Sequence, residues 1–110
     1  MNSPVSEEPG RVVVRLAGEV DLEHAPGVRR LLLDCVGRGK DMLVDLSRVD
    51  YIDSSGIASL IEALQATKAR GTGFGLVAVS AQAMRVLELA RLDRVFAIHA
   101  DLAAACRSGT

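Results

Sequence analysis

The chain has 110 residues, 49% hydrophobic and 25% charged, with a net charge of −1. That size and balance fit one globular domain with its own core, and they argue against disorder or a second domain. Aromatic residues make up 3% with no tryptophan, so base stacking on single strands, general nucleic-acid binding and attachment to an anionic membrane are not expected.

Residues 1–10, MNSPVSEEPG, are polar, carry Pro4, Pro9 and Gly10, and read as a flexible N-terminal segment. They lack the basic start and apolar run of a signal peptide. No stretch approaches the ~18 apolar residues of a membrane span, so a cytoplasmic protein without membrane insertion is expected. Arg11–Ala17, short and rich in β-branched residues, predicts a strand that Gly18 breaks and Glu19-Val20-Asp21 briefly resumes. His24-Ala25-Pro26 opens a helix near 25–36, because proline is tolerated in a first turn, and Gly37 and Gly39 end it. Met42–Leu46 predicts a strand covered on both faces. Ser47–Asp53 reads as a connection. A second helix follows from about Ser54 to residue 69, with Ile57, Leu60, Ile61 and Leu64 on its core face.

Gly71-Thr72-Gly73 stops that helix, and Phe74–Val79 predicts a third apolar strand. Ser80 caps a helix over 81–90, Val95–Ile98 predicts a last strand, and Asp101 caps a final helix. Strands and helices alternate, which predicts an α/β domain over 11–106 whose largely parallel sheet is covered by about four helices. Sites on such sheets lie on the loops beyond the carboxyl ends of strands. That directs attention to Asp45–Gly56 and to the loop after Val79.

Within Asp45–Gly56, Asp53-Ser54-Ser55-Gly56 admits two readings. In the plain one, Ser or Asp caps the helix and Gly56 allows close packing. In the sharper one, Ser54 sits where backbone N–H groups are unpaired and the helix dipole is positive, so a phosphate is accommodated. That phosphate carries roughly −1.5 to −2 charges onto the surface, beside Asp45, Asp50 and Asp53.

Val44–Ile57 (VDLSRVDYIDSSGI) resembles the central signature of the STAS domain, named for sulphate transporters and anti-sigma-factor antagonists. Leu16–Asp21, Arg85–Asp93 and Val95–Ile98 resemble the family's early strand, third helix and closing strand, so the match runs from about Arg11 to Ala105. The resemblance implies a mixed sheet whose first strand, near 11–17, runs antiparallel to the rest. It implies a stand-alone bacterial anti-sigma-factor antagonist in a partner-switching pathway. Unphosphorylated, such a protein binds an anti-sigma factor that is also a GHKL-type serine kinase. The kinase phosphorylates the serine after the motif aspartate, here Ser54, and a PP2C-type phosphatase reverses it. Asp53, Ser55 and Gly56 then join Ser54 in the docking surface. No catalytic residue and no cofactor is implied. Pro26, early in the first helix, departs from the family pattern. The alternative is a constitutive STAS accessory subunit of an ABC-type lipid transport complex.

Other features read as structural. The run Gly71–Gly75 follows a helix and enters a strand, the reverse of a Rossmann phosphate loop. His24 and His99 lack local ligand partners, Cys35 and Cys106 lack CxxC spacing and read as reduced apolar fillers, and no metal site is expected. Asp21 and Glu23 read as a solvated acidic loop, and no GxSxG nucleophile elbow is present. An enzyme is not expected.

Overall fold

The computed structural model describes residues 4–107. In chain order the elements are β1 (Val5–Glu8), β2 (Arg11–Val20), α1 (Ala25–Val36), β3 (Asp41–Ile52), α2 (Ser54–Arg70), β4 (Phe74–Val77), α3 (Ala81–Leu89), β5 (Ala97–His99) and α4 (Leu102–Arg107). The strands form one sheet in the order β1-β2-β3-β4-β5. β1 pairs antiparallel with β2, and β2 through β5 are parallel. This is the mixed, mostly parallel α/β sheet that the sequence predicts.

Alternation along the parallel strands decides the layers. Val12, Val14 and Leu16 of β2, Met42, Val44 and Leu46 of β3, and Leu76 of β4 point to one face. There they meet Leu32 and Cys35 of α1, Leu60 and Leu64 of α2, and Ala83 and Leu87 of α3 in one core. The other face carries α4, whose Ala105 and Cys106 border a hollow with Leu43, Gly75 and Ala97.

Four expectations are corrected. The first ten residues are not simply loose, because Val5–Glu8 form β1. This strand is held by Lys40 Nζ to Glu8 O at 3.2 Å and by Arg38 and Lys40 to the Glu7 carboxylate, each at 2.8 Å. β1, and not the strand that starts at Arg11, is therefore the antiparallel one. Ser47–Ile52 is not a connection: it continues β3 and pairs with β2 as far as Val20, in a ribbon beyond β4, and β2 resumes after Gly18 as expected. Two register shifts, each adding a residue to β3, break the alternation that makes a strand legible, and Gly18 supplies a positive φ of 75° beside them. Finally, Cys35 is a buried filler, but Cys106 is exposed and touches Arg11 Nη1, because Ala105 takes the buried place on α4.

The later elements shift slightly. β4 stops at Val77, where Ala78 turns to φ 51°, and β5 starts at Ala97 because Phe96 is drawn into the core against Phe74. The glycines after α2 form a turn: Gly71 is left-handed at φ 76°, and Gly73 N–H donates to Asp41 Oδ1 at 2.8 Å. Pro26 lies in the first turn of α1, where its missing N–H costs nothing.

Candidate functional site

β3 delivers the chain from buried Ile52 to Asp53, which has extended backbone (φ −112°, ψ −172°) and is the N-cap of α2. Its Oδ1 accepts from Ser55 N–H at 2.9 Å and Gly56 N–H at 3.2 Å. These two donors are among the four that a helix start leaves unpaired. Its Oδ2 accepts from Leu22 N–H at 3.1 Å, and its own N–H donates to Val20 O at 3.3 Å. Asp53 thus ties the loop after β2 to the start of α2.

The four residues singled out in the sequence divide into different roles. Gly56 is buried against β2: a Cβ there would lie 2.4 Å from Val20 O and 2.7 Å from Ile52 Cγ1. Ser55 is half-buried and gives its N–H to the cap. Ser54 is exposed, and none of the capping bonds uses its hydroxyl. The cap therefore belongs to Asp53, and Ser54 is left on the surface. Below it Ile57, Leu60 and Leu64 are buried and Ile61 is half-buried, as the helical spacing predicts.

The acidic residues expected to crowd the serine are spread apart in function. Asp53 spends its carboxylate on three N–H donors, Asp45 accepts from Ser47 N–H at 2.8 Å, and Asp50 is exposed. The surroundings also include groups that sequence reasoning missed. Leu22 is 74% exposed and Tyr51 is 50% exposed, two large apolar side chains on the same end of the sheet. Leu22 lies 31 positions before Asp53, and only the folded hydrogen bond joins them. Beside them His24 Nδ1 lies 2.7 Å from Asp21 Oδ1. The bond to Asp21 raises the His24 pKa above its ordinary value, and the bond to His24 lowers that of Asp21.

A groove between α1 and α2 continues from Leu22 along Pro26, Leu33 and Ala58. Arg29 and Glu62 bridge it, with Nε 2.9 and 2.8 Å from the two carboxylate oxygens. The bond to Arg29 lowers the Glu62 pKa. Among the described residues, no group of three His, Cys, Asp or Glu side chains stands close enough to hold a metal ion, and no helix is long and apolar enough to cross a membrane.

A single α/β domain with an aspartate-capped helix and an exposed serine after the cap defines a compact module whose candidate site lies beyond the strand ends. The chain belongs to the STAS domain family, whose model matches residues 2–105. It is 27% identical over 100 residues to the anti-sigma-B factor antagonist of Bacillus subtilis, covering 91% of this chain and 92% of that one. It is 30% identical over 84 residues to the anti-sigma-B factor antagonist of Listeria monocytogenes, covering 76% of this chain and 74% of that one. A crystal structure of an anti-sigma factor antagonist from Mycobacterium paratuberculosis superposes with a TM-score of 0.86 at 28% identity, covering 94% of this chain and 89% of that one.

Proposed function

We propose that this chain is an anti-sigma factor antagonist switched by phosphorylation on Ser54. Unphosphorylated, it binds an anti-sigma factor that is also a GHKL-type serine kinase, and so frees the sigma factor. Phosphorylation breaks the complex, and a PP2C-type phosphatase restores it. The protein is the kinase's substrate and not an enzyme, and it works in the cytoplasm, where ATP and the sigma factor are.

One observation carries the reading: the Ser54 hydroxyl is exposed at the first turn of α2 while Asp53 does the capping. A kinase can take this serine without dismantling the helix start. The phosphate adds roughly −1.5 to −2 charges. The N–H groups of Ser55 and Gly56 are already held by Asp53, so the new charge stays on the surface for the partner to meet. Leu22 and Tyr51 offer that partner apolar contact beside the serine.

The test is incubation with the cognate kinase and ATP, followed by peptide mapping. One phosphate on Ser54 is expected, and none on Ser54→Ala. A phosphate mapped to Ser47, Ser55 or Ser59 would overturn the assignment.

A further inference from the structure

The described residues expose four large apolar side chains, Leu22, Tyr51, Leu89 and Val95. They fall at two ends of the molecule. Leu22 follows the carboxyl end of β2, and Tyr51 is the penultimate residue of β3. α3 starts after the carboxyl end of β4 and returns to the start of the parallel strand β5, so Leu89 and Val95 lie at the opposite end. The contact of Phe96 with Phe74, the first residue of β4, fixes that placement.

Charge divides the same way. Glu19, Glu23 and Asp50 are exposed around Leu22 and Tyr51, with Arg48 among them. Arg85, Arg91 and Arg94 are exposed around Leu89 and Val95, with Glu88 and Asp93 among them. Lys68 and Arg70 close α2 at that same end. None of these five basic residues has an ion-pair partner among the described residues.

A second observation concerns Arg91, which with Ala78 is one of two non-glycine residues of positive φ among the described residues. Its N–H donates to Glu88 O at 3.0 Å, and Leu92 N–H donates back to Leu87 O at 2.8 Å, which closes α3 in a Schellman turn. The turn requires a left-handed residue, and Arg91 has φ 61°. Glycine fills such a position without strain, whereas an L side chain there is strained. Strain of this kind points to a use for the side chain.

We propose that the chain self-associates head to tail: the acidic end of one copy, with Leu22 and Tyr51, seats on the basic end of the next, with Leu89, Val95, Arg91 and Arg94. Both complementary halves sit on one chain at opposite ends, which is why a second copy is the occupant. Such a contact is heterologous and repeats as an open stack. Two pairs of apolar side chains make a small interface, so a Kd on the order of 0.1–1 mM is expected. Stacking would also cover Ser54. That consequence rests on the function proposed above, whereas the association itself does not.

Sedimentation velocity on the full chain tests this without any kinase. The weight-average mass should rise with protein concentration at low salt and fall back toward the monomer near ~1 M salt, where the Debye length is about 3 Å. Arg91→Glu with Arg94→Glu, and separately Glu19→Arg with Glu23→Arg, should each give a monomer that melts normally. A chain with both ends reversed should associate again. Arg91→Gly should raise the melting temperature while weakening association, a combination that a purely structural arginine would not produce. A monomer at every concentration would overturn the proposal. So would a dimer indifferent to single-end reversal, or a basic end that binds phosphatidylglycerol vesicles while the chain stays monomeric.

Discussion

Two helices of this domain begin in nearly the same way, each after the carboxyl end of a parallel strand and each with a serine at its start. At α3 the serine is the cap. Ser80 Oγ accepts from Ala83 N–H at 3.2 Å and donates to Val49 O at 2.7 Å, so the fold uses the hydroxyl in both directions. At α2 Asp53 is the cap, and the hydroxyl of Ser54 next to it is left on the surface. The difference teaches what makes a serine available for modification. A phosphate on Ser80 would break a cap and take a donor from a carbonyl on β3, whereas a phosphate on Ser54 breaks neither.

Substitutions can sharpen this contrast. The largest effect on stability is expected at Gly56, where a Cβ meets Val20 O at 2.4 Å and backbone must move. Gly56→Ala should cost about 2–3 kcal/mol by forcing β2 and α2 apart. The control is Gly27→Ala at an exposed position of α1, where a Cβ meets nothing within 4 Å. It should gain about 0.5–1 kcal/mol from the better helix former. Chemical denaturation of the two variants reads both numbers, and equal destabilisation would contradict the packing account.

Next come the caps. Asp53→Ala and Ser80→Ala should each cost about 1–2 kcal/mol, since each removes a first-turn acceptor. Ser54→Ala should stay within about 0.5 kcal/mol of the parent, as an exposed residue outside the cap. If Ser54→Ala matched Ser80→Ala, Ser54 would be acting structurally and the contrast would fail.

The smallest effect concerns pH. His24 is raised by its bond to Asp21, so its contribution is full below the ordinary histidine value of about 6.5 and fades as pH rises through its higher folded value. Asp21 is lowered, so its contribution is present above the ordinary aspartate value and fades as pH falls through its lower folded value. The loop after β2 is therefore best held between those limits. An NMR titration should place His24 above about 6.5, and Asp21→Asn should bring it back. An unchanged His24 midpoint in Asp21→Asn would remove the pair from the account.

How much of this was legible follows from the range of each interaction. The start of α2 could be read because its signals are local: a capping aspartate, small residues and then apolar residues at helical spacing. The alternating parallel architecture followed from the same kind of signal. The ribbon of β2 and β3 beyond β4 was hidden because two bulges break the period, so Ser47–Ile52 looked like a loop. β1 was hidden because four residues between prolines acquire strand character only through β2 and the partners Arg38 and Lys40, about thirty positions away. Leu22 carried no local signal at all. It joins the site because Asp53 Oδ2 reaches across 31 positions to its N–H. Which of Asp53, Ser54 and Ser55 caps the helix also needed the structure, since all three residue types can do so.

Charge added at Ser54 is expected to reach the partner and leave the fold alone. Calorimetric titration of an anti-sigma factor with the unphosphorylated protein and with the Ser54 phosphoprotein, alongside their melting curves, tests it most directly. Phosphorylation should weaken binding by about 200- to 1000-fold, or roughly 3–4 kcal/mol, with the melting temperature nearly unchanged. Ser54→Asp should bind poorly too, though one carboxylate imitates a phosphate incompletely. Equal affinity of all three forms would contradict the switch and favour a constitutive accessory subunit, and a loss of affinity accompanied by unfolding would show that Ser54 matters to the fold.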